Sequence, residues 1–184
     1  MLDFDELHRL VATIWLALDG LTTEEKKKRL EDDFLDFLID AYLLGWERDG
    51  LPDTGEANET AMQEAIYKEI AGEDITDRIS KYVDAEDYEG LQRLADSEYH
   101  RVNETGAYDA ALASELQDHT VVKKWVTMND PYVRDTHDYI EGVEIPLSER
   151  FYTFDGDSAR FPGDFEKADN NCGCRCWLVY RSLD

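Results

Sequence analysis

The sequence predicts an α+β protein: a helical N-terminal half, then a long helix packed on a small C-terminal α+β unit with a short β-sheet. Three observations predict it. Apolar residues recur at helical spacing through the first half, and one helical segment runs over about residues 87–114. From about residue 120, short β-branched and aromatic runs alternate with turns marked by Gly and Pro.

In FDELHRLVATIWLAL the residues Phe4, Leu7, Val11, Ile14 and Leu18 form a stripe along one helical face. After an Asp-Gly turn the pattern restarts. Thr22 with Glu25 fits a capping box, and Leu30, Phe34, Phe37, Leu38, Ala41 and Gly45 continue an apolar face. Residues 1–52 are therefore expected to form an antiparallel helical hairpin. The stretch DGLPDTGEANET (49–60) is rich in turn formers and reads as a loop and hinge. Residues 53–86 form a linker with two shorter helices, ANETAMQEAIYKEIAG and DITDRISKYVD. The long helix DYEGLQRLADSEYHRVNETGAYDAALAS opens a unit expected over 87–184. Gly106 weakens that helix by about 1 kcal/mol relative to Ala, which points to a close packing contact there. His100, Arg101, Asn103 and Glu104 cluster on the same helix. His100 and Glu104, one turn apart, read as a brace against the α+β unit.

In the last third, TVVKKWVTM reads as a strand. NDPYVRDTHDYIEG reads as a short helix with Asp130 as N-cap, Pro131 in the first turn and Gly142 past the end. FYTFDGD reads as a strand entering an Asp-Gly turn, FPGD as a turn with Pro and Gly at its centre, and CRCWLVYR as a final strand.

Charge narrows the function. With 19 Lys and Arg against 43 Asp and Glu, the net charge is −24, which argues against nonspecific binding to nucleic acid or anionic lipid and favours protein partners. No apolar run approaches a membrane span and no basic-then-apolar leader begins the chain, so it reads as a soluble intracellular product.

The three cysteines, Cys172, Cys174 and Cys176, stand at alternate positions and make a poor disulfide framework. In a flat strand, side chains two apart are separated by about 6.6–6.8 Å, whereas two thiolates on one zinc come within roughly 4 Å. Shared coordination needs a bend, which Gly173 can supply, or entry into the strand only at Arg175. Zinc ligation by the cysteines and His137, reduced packing at a core edge, and a strained redox pair all stay open. His100 and His119 are weaker candidates for the remaining ligand. On the short helix Arg134, His137, Asp138 and Glu141 fall on one polar face. A hydrolase could use His137 with Asp135 or Asp138 as base or metal ligand, but no nucleophile motif, phosphate loop or His-x-x-x-His pair accompanies them. A half-buried, hydrogen-bonded histidine is the favoured reading.

The order of motifs says more than any single one. LADSEYHRVNETGAYDAA is followed by KKWVTMNDPYVRDTHDYIEGVEIPLSERFYTFDG, then FPGD, then NNCGCRCW. The succession resembles the phage Mu F-like head morphogenesis family, also described as minor head or minor capsid proteins of tailed phages. Its pattern is matched by Trp125, Asp130, Arg134, His137, Gly142, Phe151, Pro162, Gly163, Asn171, Cys174, Arg175 and Cys176, within roughly residues 90–181. The resemblance implies a non-enzymatic virion component, present in few copies, at the portal vertex during procapsid assembly and influencing DNA packaging or ejection. The implied partners are the phage portal protein and capsid or scaffold subunits, with no sequence-specific nucleic acid binding and no membrane. The implied location is the virion head near the portal, and the bacterial host cytoplasm during assembly. In some relatives the domain is joined to a toxin or transferase, for which this chain reads as too short. No cofactor is certain, and zinc is the one the cysteines raise. The competing functions are a small metal-dependent hydrolase or nuclease built on His137 and nearby Asp and Cys, and a zinc-stapled interaction module.

Overall fold

Helix α1 (Phe4–Leu16) enters a turn at Gly20, and α2 (Thr23–Trp46) begins at a complete capping box between Thr22 and Glu25. The computed structural model describes residues 4–48 and 50–183. Phe4 and Leu7, which head the expected stripe of α1, lie outside the described side chains; Val11 and Leu18 are buried. All six residues expected on the apolar face of α2 are buried, together with Tyr42. Both α1 and α2 pack on a later helix, α5 (Tyr88–Glu115), with the α2–α5 contact the most extensive. Between them lie α3 (Glu59–Ile66), N-capped by Asn58, and α4 (Ile75–Asp84), N-capped by Asp74.

The crossing of α2 and α5 is unusually close. A Cβ on Gly106 would collide with the Tyr42 carbonyl, and one on Gly45 with the Asn103 carbonyl. Around this point Asn103 Nδ2 donates to Ala41 O at 2.8 Å, and Tyr42 Oη donates to Asp109 at 2.7 Å. The close approach expected from Gly106 is present, and Gly45 completes it.

Helix α5 serves two cores. Its first half, with Leu91, Leu94, Ala95, Tyr99 and Val102, packs into the helical core. Its second half, with Ala107, Tyr108 and Ala111, packs beneath the sheet. That sheet is antiparallel in the order β2 (Glu144–Pro146), β1 (Val121–Val126), β5 (Trp177–Ser182), pairing Lys123 with Ile145 and with Tyr180. Alternation decides its faces: Val121, Lys123, Trp125, Leu178 and Tyr180 point inward, while Lys124, Val179 and Arg181 face solvent. A two-stranded ribbon, β3 (Phe151–Tyr152) with β4 (Ser158–Ala159), and two single-turn helices, α6 (Asp135–Asp138) and α7 (Ala168–Asn171), close the inner face.

Two local expectations need correction. The helix expected from Asp130 contracts to α6, with Arg134 at its N-cap position. Asp130 instead makes an Asx turn, accepting from Tyr132 N at 2.9 Å, and forms a bidentate pair with Arg175 at 2.7 and 2.8 Å. A polar face from Arg134 to Glu141 therefore does not form; Glu141 accepts from Thr127 N. The final strand starts at Trp177, after the cysteines, because Gly173 takes a positive φ of 64° and turns the chain. The expected FPGD turn is present: Asp164 N donates to Phe161 O at 3.1 Å, with Gly163 at φ 93°.

Gly106→Ala should destabilise the protein by about 3 kcal/mol through overpacking, against the gain of about 1 kcal/mol that the same change gives in an unobstructed helix. Urea unfolding of the two proteins measures the difference.

Candidate functional site

The aromatic, histidine and cysteine positions of the family motif, Trp125, His137, Phe151, Cys174 and Cys176, converge in the core beneath the small sheet. Trp125 is fully buried at its centre and meets three rings edge-on: Phe151 at 5.1 Å, His137 at 5.5 Å and Phe165 at 5.7 Å between centroids. His137 stacks on Phe165 at 5.2 Å and is 1% exposed. Gly142 returns its N–H to Trp125 O at 2.9 Å, so the loop after α6 hydrogen-bonds back to the end of β1. Pro162 is buried, and Gly163 passes close to Arg101 on α5.

The segment before β5 is positioned largely by side chains bonded to backbone. Asn171 accepts from Phe165 N at 3.1 Å and donates to Phe165 O at 2.6 Å. Arg134 donates to the Cys172 carbonyl, and Arg175 is held by Asp130. These ties orient Cys174 and Cys176 inward, 5% and 3% exposed, while Cys172 stays exposed. The thiols meet His137: Nδ1 lies 3.6 Å from Cys174 Sγ and 3.4 Å from Cys176 Sγ, and the three ligand atoms fall within 4.8 Å of one another. The turn at Gly173 and the irregular backbone to Cys176 permit this convergence, which a flat strand forbids.

His100 on α5 also touches this group through the Cys174 thiol. The Cys176 thiol, then His100 and His137, hold the Cys174 thiol well below its usual range despite its burial. Cys176 is pushed up by its contact with Cys174 and by burial, so the pair gives up its two protons in well-separated steps. Burial opposes a charged ring at His100, but Cys174 and the Glu104 carboxylate together pull its pKa up. The structure brings together the ligand atoms of His137, Cys174 and Cys176, with His100 beside Cys174 but outside that group. It leaves Cys172 and His119 outside the group and Asp135 and Asp138 exposed, and among the described residues no carboxylate joins His137 in a metal-ligand group.

Sequence reasoning missed two buried charged groups, Asp157 and Lys123, and named a third, Glu104, as a brace without its partners. Asp157 accepts from the N–H groups of Ser158, Glu166 and Lys167 and from Asn170, tying the ribbon to α7. Glu104 accepts from Leu178 N at 3.1 Å and pairs with Arg48 at 2.6 Å, joining α2, α5 and β5. Its proximity to His100 carried a signal; its strand partner did not. Lys123, on the inner face of β1, donates to Arg160 O at 3.0 Å between the rings of Tyr108 and Phe151. Burial, then Arg160 and Arg150, bring its amine down from 10.5 to about 8.

A long helix shared by two cores, and a small sheet closed by a Trp–Phe–His cluster against two inward cysteines, define an α+β domain whose motif residues hold its own chain together. The chain belongs to the family described as Phage Mu protein F like protein, which matches residues 57–179. That match begins at the loop before α3, earlier than the motifs quoted from residue 90 onward. The chain is similar to the minor head protein GP7 of Bacillus phage SPP1, 32% identical over 90 residues, covering 47% of this chain and 28% of that protein. It is also similar to the NAD(+)–arginine ADP-ribosyltransferase EFV of Enterococcus faecalis (strain ATCC 700802 / V583), 36% identical over 59 residues, covering 32% of this chain and 12% of that one. The chain thus matches less than a third of the length of either relative. No solved structure matches it significantly.

Lys123 carries a pH signature. Because its folded-state affinity for a proton is reduced, the unfolded chain binds more protons between about pH 8 and 10.5, and its contribution to stability rises with pH across that window. The comparison is between wild type and Lys123→Met, each unfolded in urea from pH 7 to 10.5. Stability of the variant relative to wild type should fall as pH rises; a constant difference would refute the assignment.

Proposed function

We propose that this chain is a minor head protein of a tailed phage or prophage, joining other head components during procapsid assembly at the portal vertex and influencing DNA packaging or ejection. The family match over residues 57–179, together with the likeness to a minor head protein, is the observation that carries this reading. The acidic balance of −24 supports docking on proteins over coating the genome. Among the described residues no helix is long and apolar enough to cross a membrane. The proposed partners are the portal protein and capsid or scaffold subunits. The proposed locations are the virion head near the portal and the host cytoplasm during assembly.

Co-expression with the portal protein encoded in the same genome should give a stable complex on size-exclusion chromatography, and phage lacking this protein should yield fewer infectious heads. Absence of portal binding together with unchanged infectivity would overturn the proposal.

A further inference from the structure

We infer that His100, His137, Cys174 and Cys176 form a buried structural zinc site that fastens the long helix to the C-terminal unit. The distances carry the first part. On one tetrahedral zinc, with Zn–S near 2.3 Å and Zn–N near 2.0–2.1 Å, a thiolate and an imidazole nitrogen stand about 3.6 Å apart. The two His137 Nδ1–sulfur separations are 3.4 and 3.6 Å, so both nitrogen–sulfur edges already have tetrahedral length, and the two sulfurs lie within 4.8 Å of each other. The fourth corner falls to His100, which lies beside the Cys174 thiol, stands outside the 4.8 Å group and would swing in to close the tetrahedron. Its Nε2 is buried with no hydrogen-bond partner, as is the Nε2 of His137. An unpartnered buried imidazole nitrogen is costly in an apolar core, and a metal on His100 would remove that cost.

The donor set selects the ion. Two thiolates and two neutral imidazoles match structural zinc, and a closed four-ligand set leaves no position for substrate. Binding releases to solvent whatever protons the two thiols still carry, and the two thiolates neutralise the dication, so the buried site carries no net charge. The surroundings fit: the Trp125 indole lies beside Cys176, and the Arg175–Asp130 pair fixes the residue between the two cysteines. The ligands come from α5, α6 and the segment before β5, so one ion would link elements brought together only in the folded protein. Cys172 is excluded because it is exposed and contributes its carbonyl to Arg134.

The test uses the full chain, purified without chelator or histidine tag. Elemental mass spectrometry should find one zinc per chain, and a strong chelator should remove it with a marked fall in melting temperature. Cobalt substitution should give the intense visible bands of a tetrahedral thiolate site. Cys172→Ala should keep the metal. Cys176→Ser should lose it, and His100→Asn should weaken zinc affinity at least tenfold in chelator competition. Should Cys176→Ser fail to fold, the His100→Asn competition still decides. No stoichiometric zinc and an unchanged melting temperature would overturn the site; unchanged affinity in His100→Asn would overturn the four-ligand set. Both outcomes are independent of portal binding.

Discussion

The structure depends on one close approach, the crossing of α2 and α5 at Gly45 and Gly106. Because neither position carries a Cβ, the backbones meet near Tyr42 and Asn103, and polar side chains can bridge them. That crossing places Arg48 and Glu104 where both reach β5: Glu104 accepts from Leu178 N, and Arg48 donates to Leu178 O. The last strand is thereby tied to both helices at a residue whose inner side is fully buried. Each glycine costs about 1 kcal/mol of helix propensity relative to Ala. The contact it permits anchors the C-terminal unit to the helical half.

Beyond the sheet, the C-terminal unit contains little regular structure. Its ribbon is two residues per strand, and α6 and α7 are single turns. Hydrogen bonds from side chain to backbone take the place of long ladders. Asp157 gathers three N–H groups, Asn171 exchanges two bonds with Phe165, and Asp130 grips Arg175. Such networks specify one arrangement when every member is satisfied. The family-motif residues are mostly these anchors and the aromatic cluster they enclose. The motif therefore reports how this part of the chain is held in one arrangement.

Much of this was legible in sequence, for identifiable reasons. The apolar stripe of α2, its capping box and the two short helices α3 and α4 follow from local periodicity and capping chemistry, which act within one or two turns. The β1 strand and the FPGD turn were likewise local. The short helix was read too long because Asp130 looks like an N-cap; a tertiary partner, Arg175, competes for its carboxylate. The strand β2 escaped notice because three residues ending in Pro carry no alternation of their own and pair only along the edge of β1.

The sequence by itself determined the helical half, the α+β class and the resemblance that the family match then established. Each rests on spacing along the chain or on the order of motifs. Tertiary structure alone decided which histidines meet which cysteines. Alternate cysteines diverge in a strand and converge only because Gly173 turns the chain and Arg134 and Asp130 hold it on either side. His100 reaches Cys174 from a helix more than seventy residues earlier, where nothing in its neighbourhood announces a sulfur partner. The choice between a ligand, a redox pair and a packed edge therefore depends on distances that only folding creates.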